Sequence, residues 1–189
     1  MHKKFSLAFF FCVFIFSAAQ VSAVQYDVAY ISEDGTPLSG TILNAFYKLG
    51  LSYDVVRDSE IPTTDFSQYS VLLVVEDVNN KQSIPFNEKS AIFFDKAIAE
   101  SVWTGVDGSI TTNLRDIKIV QANELWEGVI VPPTGIIQIY TSTGAETHFL
   151  NKKPSSVATL AIKTTENKAV IASSVKNING IMVKDLFFG

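Results

Sequence analysis

Val71-Leu72-Leu73-Val74-Val75 is an uninterrupted run of branched apolar residues. A strand with one wet face alternates, whereas a strand without alternation is buried on both sides, as in a parallel sheet covered by helices on each face. The residues before it fit that setting. Tyr26 to Ile31 alternates around Val28 and Tyr30 and predicts a strand, followed by a loop over Ser32 to Pro37. Ser39 or Thr41 is placed to cap a helix ending near Leu49, with Ile42, Leu43, Phe46 and Leu49 at helical spacing. Gly50 stops it. Tyr53 to Arg57 predicts a second strand, and Thr63 to Tyr69 a polar connector into the third. Beyond Ile84-Pro85-Phe86, Asn87 reads as the N-cap of a helix reaching Trp103, with Ala91, Phe94, Ile98 and Val102 on one stripe and Phe93 off it. Gly105 and Gly108 close that segment.

The pattern then changes. Ile117 to Val120, Val129 to Val131, Ile136 to Tyr140, Val157 to Ile162, Ala169 to Ser173 and Ile181 to Phe188 are short β-type runs. Gly, Pro, Asn and Lys separate them, and Thr164 to Lys168 reads as a hairpin turn. Strands alternating with helices in the first half predict parallel neighbours joined by right-handed crossovers, with the Val28 and Val71 strands adjacent. The expected architecture is a three-layer α/β domain, flavodoxin-like or Rossmann-like, mainly parallel, with a β-rich C-terminal part. No repeat, low-complexity tract or long linker divides the chain.

The first 23 residues read as an export signal. Lys3 and Lys4 precede an apolar run from Phe5 to Ala19, and Val21-Ser22-Ala23 offers small residues for cleavage. The expectation is a protein that begins near Val24 and works outside the cytoplasm as one domain over residues 24–189. A first domain of a longer surface protein is the variant of that reading. Taking Lys3 and Lys4 from the 15 basic residues leaves 13 against 19 acidic, a net charge of −6. That balance argues against nucleic acid, which needs a basic face. No later apolar stretch approaches a membrane span. Cys12 lies inside the signal, so the exported chain would hold no disulfide, cysteine nucleophile or thiolate metal site. His148 would be its one imidazole.

A resemblance adds to this. Tyr26-Asp27-Val28-Ala29-Tyr30-Ile31, then Leu49 to Val56, then Asp65 to Val75, resembles the opening of class I glutamine amidotransferase-like domains. The tail from Lys168 to Gly189 is similar to the closing strands of their non-catalytic, trehalose-utilisation-like relatives. The resemblance covers most of the chain through patterns of apolarity. It implies a flavodoxin-like fold, and in active members a cysteine on a sharp turn after the central strand with a later histidine partner. The region assigned to that turn, Gly105 to Asn113, has no cysteine.

Three candidate sites follow. Glu33, Asp34, Glu76 and Asp77 stand at the carboxyl ends of the first and third strands, where open α/β sheets bind ligands. Several carboxylates there would suit Mg²⁺ or Ca²⁺, and solvated loop acids are the plainer reading. Ser109 with His148 is a possible serine nucleophile and base, against a turn serine and an exposed loop histidine. Trp103, Trp126, Tyr140 and Phe149 would line a carbohydrate or peptide surface if exposed, and core if not. Pro37, Glu33 and Asp34 disfavour a flavin phosphate at the loop before the first helix, so no organic cofactor is expected. The expected function is an exported, non-catalytic binding or assembly module of the cell envelope, its partner an unknown surface protein or carbohydrate. The alternative is an exported hydrolase using the carboxylates and a metal, or Ser109 with His148.

Overall fold

The structure, a computed structural model, describes residues 26–35, 40–112, 114–121, 131–139, 146–164 and 166–189. The export signal with Cys12, Trp126, Tyr140 and most of the expected strand at Val129 to Val131 lie outside the described residues. Among those described, strands β1 (Tyr26–Ser32), β2 (Tyr53–Arg57), β3 (Tyr69–Val74) and β4 (Ser90–Phe93) come first, with helix α1 (Gly40–Leu49) between β1 and β2. Helix α2 (Lys96–Val102) follows β4. Then come β5 (Asp107–Thr111), β6 (Asp116–Ile119), β7 (Ile136–Gln138), β8 (Thr147–Lys152), β9 (Val157–Lys163), β10 (Ala169–Ile178) and β11 (Ile181–Phe188).

The strands form one sheet in the order β2-β1-β3-β4-β11-β10-β9-β6-β7, and β8 joins β10 to β5. β1 pairs in parallel with both β2 and β3, with Val28 opposite Val71 as expected. β4 adds in parallel to β3, and β11 in parallel to β4. From β11 onward the neighbours are antiparallel. The fold is thus α/β and flavodoxin-like in its first half, with a β-rich second half.

The core lies on both faces of this sheet. On one face Ala29, Ile31, Leu72, Val74, Ala91 and Phe93 pack beneath Ile98, Ala99 and Trp103 of the α2 region. On the other, Val28, Tyr30 and Leu73 pack against Phe46 of α1. A second cluster on that latter side, around Phe149, Leu160 and Ile171, gathers Leu186 and Phe188 at its margin. Phe149 and Trp103 are therefore core residues, each 3% exposed.

The segment from Asn87 to Trp103 differs from the expected single helix. Ser90 to Phe93 forms β4, with Ala91 and Phe93 buried and Ser90 and Ile92 less so. Asp95, not Asn87, caps the helix: its backbone is extended (φ −97, ψ 136) and its Oδ1 accepts the Ala97 N–H at 2.7 Å. The reason is tertiary. β3 and β11 offer two open hydrogen-bonding edges, and a strand between them satisfies both while burying Phe93 completely. Ala91, Phe94, Ile98 and Val102 match a helical stripe only because a strand and a short helix adjoin there. A second correction concerns Gly105 to Asn113, read as a closing turn. Asp107 to Thr111 is strand β5, antiparallel to β8. Gly108 permits this crossing, since a Cβ there would sit 2.7 Å from the Lys96 Cβ.

Candidate functional site at the carboxyl ends of the parallel strands

β1, β3 and β4 run in parallel, so their carboxyl ends form one crest of the sheet. The four expected carboxylates stand there without converging. The Glu33 N–H donates to Glu76 Oε1 at 2.6 Å, so one acid is occupied by the other's backbone. Asp77 turns away to an ion pair with Lys81. Asp34 is exposed, and with Glu76 it faces the Tyr30 phenol, whose pKa is raised first by burial and then by these two charges. Gly35 closes the crest with φ +74, and the Arg57 Nε lies 2.6 Å from where a Cβ would stand. Among the described residues, no group of three or more His, Cys, Asp or Glu side chains is close enough to hold a metal ion.

Ser109 and His148 do not form a pair. They lie on neighbouring strands, but Ser109 stands opposite Phe149 and His148 opposite Ile110. Successive side chains of a strand project to opposite faces, which separates the hydroxyl from the imidazole. Ser109 Oγ donates instead to Asn151 Oδ1 at 2.9 Å. His148 is also not in an exposed loop. It sits in β8 with its side chain 14% exposed.

What His148 meets is the turn after β4. The Lys96 N–H donates to His148 Nδ1 at 3.0 Å. That bond assigns the ring proton to Nε2 in the neutral form, and Nε2 faces Glu146 Oε1 at 3.3 Å. Asp95 Oδ2 lies 3.5 Å from Nδ1. An acid and an imidazole therefore come together where a central parallel strand turns into a helix. The turn reads Phe94-Asp95-Lys96, without cysteine. This turn, and not Gly105 to Asn113, is the one that follows a central strand. Sequence reasoning places the cap at Asn87 and misses Asp95; the signal that finds it is an aspartate directly before Lys96-Ala97-Ile98-Ala99. The pairing of Asp95 with His148 has no such signal, because the two are 53 positions apart and meet only through the strand order.

Variants of this turn have expected costs. Asp95→Ala removes the cap bond to Ala97 and is expected to cost about 1 kcal/mol. His148→Phe keeps the ring but orphans the Lys96 N–H, and roughly 1–3 kcal/mol is expected. Urea denaturation of both variants measures these losses, and a null result for His148→Phe would mean that water satisfies Lys96 equally well.

No family model matches the chain, and no curated protein matches it. Solved structures do. A glutamine amidotransferase from Thermotoga maritima superposes with a TM-score of 0.55 at 11% identity, covering 87% of this chain and 74% of that one. A putative GMP synthase component from Thermoplasma acidophilum superposes with a TM-score of 0.57 at 9% identity, covering 78% of each chain. At these identities the likeness establishes the fold, which is glutamine amidotransferase-like. Among the described residues no helix is long and apolar enough to cross a membrane.

Proposed function

We propose that this chain is an exported, non-catalytic module of the cell envelope that binds or assembles with a surface protein or carbohydrate on a glutamine amidotransferase-like fold. One observation carries the reading. At the turn after β4 both chemically competent groups serve the backbone of α2. Asp95 accepts from the Ala97 N–H and His148 accepts from the Lys96 N–H. A carboxylate capping a helix and an imidazole holding that helix to β8 are structural assignments, and among the described residues neither has a nucleophilic hydroxyl or thiol hydrogen-bonded to it. The sequence supports this, since the turn has no cysteine and Cys12 falls within the expected signal.

The hydrolase reading retains one favourable observation, the 3.5 Å approach of Asp95 to His148. The two readings separate in an assay. The purified protein is incubated with glutamine, with release of ammonia followed, and with p-nitrophenyl acetate. No turnover above the blank is expected from the native chain, and the Asp95→Asn and His148→Gln variants should not differ from it. Hydrolysis of either compound that disappears in both variants would establish the enzyme. N-terminal sequencing of the exported protein tests the other half of the proposal and should begin near Val24.

A further inference from the structure

Of the ten residues of α1, Phe46 alone is buried. Ile42 and Phe46 sit one turn apart and pack with Val28, Tyr30 and Leu73 of the sheet. A second stripe, Gly40, Leu43, Asn44 and Tyr47, recurs at i, i+3, i+4 and i+7 and so forms another face. That face has no cover. Tyr47 is 86% exposed and Leu43 37%. An open hollow of about 590 Å³ lies between this stripe and the edge strand β2, bordered there by Leu51 and Tyr53.

The surface is self-complementary. Tyr47 stands out as a knob, and Gly40, two turns back along the same stripe, looks onto open space where a Cβ would stand. A two-fold axis beside Leu43 and Asn44 sets each Tyr47 over the other copy's Gly40, which is the pattern of an isologous contact. Charge fixes the direction. Lys48 is the one charged residue of α1, and it makes no ion pair among the described residues. α1 follows the carboxyl end of β1 and runs back over the sheet, so its first turn stands at the crest. Glu33 is exposed there, its carboxylate without a hydrogen bond among the described residues. Antiparallel helices bring each Lys48 to the other copy's crest, whereas parallel helices bring the two lysines together. The edge of β2 is closed to an added strand, because the Val55 N–H donates to Asp54 Oδ1 and the Arg57 N–H to Glu60 Oε2, both at 2.9 Å.

We propose that α1 is a self-association face, packed antiparallel across a two-fold axis on α1 of a second copy of this chain. A net charge of −4 opposes self-association, and a face with one charge among ten residues is where that opposition is weakest. A helix of ten residues is about 15 Å long, so the contact stays below the roughly 800 Å² per partner of a standard interface. The dimer is therefore a dynamic one, with a dissociation constant on the order of 10–100 μM. The inference goes beyond the binding role proposed above by naming the chain itself as one partner. α1 and α2 lie on opposite faces of the sheet, so it holds whether or not the turn with Asp95 and His148 proves catalytic.

The test is sedimentation velocity of the purified protein from about 5 to about 500 μM, a range that brackets the expected dissociation constant. The native chain should pass from monomer to dimer across it. Tyr47→Asp should stay monomeric throughout at an unaltered melting temperature. Should that variant fail to fold, Asn44→Glu serves the same purpose by setting two carboxylates against each other near the axis. Lys48→Glu and Glu33→Lys should each weaken the dimer roughly tenfold, since every contact of a two-fold interface occurs twice. The double variant restores opposite charges and should recover the native affinity. A native chain that is monomeric at the highest concentration would overturn the proposal and leave a different protein as the occupant of this face. A dimer indifferent to both Tyr47→Asp and Asn44→Glu would overturn it in favour of another surface. A double reversal as weak as the single ones would overturn the antiparallel pairing.

Discussion

Replacing Lys176 with methionine is expected to destabilise the protein by about 3–5 kcal/mol, out of proportion to a half-buried lysine. The cause lies in its partner. Asp185 is 1% exposed, with Oδ2 held 2.9 Å from Lys176 Nζ and 3.3 Å from Trp103 Nε1. Its Oδ1 has no hydrogen-bond partner among the described residues. Burial raises the Asp185 pKa above its ordinary 3.8, while Lys176 and then Trp103 pull it back. Deleting the lysine leaves a buried carboxylate with only the indole. The sign of the pH dependence follows. A carboxyl whose folded pKa is raised favours the folded state most below its unfolded value of 3.8, and that contribution is lost as pH rises through the raised value. Without Lys176 the pKa moves further up, so the deficit of Lys176→Met should be largest at neutral pH and shrink on acidification. The double variant Lys176→Met with Asp185→Leu should recover most of the loss, since removing both charges eliminates the desolvation cost. Chemical denaturation at pH 7 and pH 4 distinguishes these outcomes. A single variant with unchanged stability at pH 7 would mean that water reaches Asp185.

Phe93→Ala is expected to cost about 3–5 kcal/mol. Phe93 has 0% exposure. It lies between Phe86 and Trp103, both edge-on, and Phe187, with centroid separations of 6.3, 5.0 and 6.2 Å. These partners come from the 81–89 segment, the end of α2 and strand β11, so a cavity at this point loosens three elements together. Phe94→Ala, one position on, is the control. Its ring is only partly buried, against Phe188 on the opposite face, and about half the effect or less is expected. A helix spanning Asn87 to Trp103 would instead give the two phenylalanines a different ranking, so the pair also tests the assignment of β4.

Much of the first half was legible because its signals are local. The unalternating run at Val71 to Val75, the strand at Tyr26, the helix stop at Gly50 and the pairing of Val28 with Val71 all follow from apolar period and chain connectivity. The β-rich second half was legible as a class, and Asn179-Gly180, with φ of 53 and 86, is an ordinary hairpin signal between β10 and β11. The boundary between the halves was misread at β4, where four residues of strand abut seven of helix. Each is too short to show its own period, and together they imitate a helix.

The site was legible by residue type but not by partnership. His148 stood out as an imidazole, yet its expected partner Ser109 faces the other way and its actual neighbours are Asp95, Lys96 and Glu146. The four crest acids were correctly placed at strand ends, but their directions depend on backbone N–H groups and a lysine that no spacing reveals.

The class of the sheet and the identity of most strands are written in the amino-acid sequence alone. Period, turn chemistry and composition act over a few residues and can be read without the fold. The placement of β11 in parallel beside β4 came from the tertiary structure alone, and with it the burial of Asp185 and the contact of His148 with α2. Those features depend on which distant strand fills an open sheet edge. That choice is made by the packing of whole faces, a property of the assembled core and of no local run of residues.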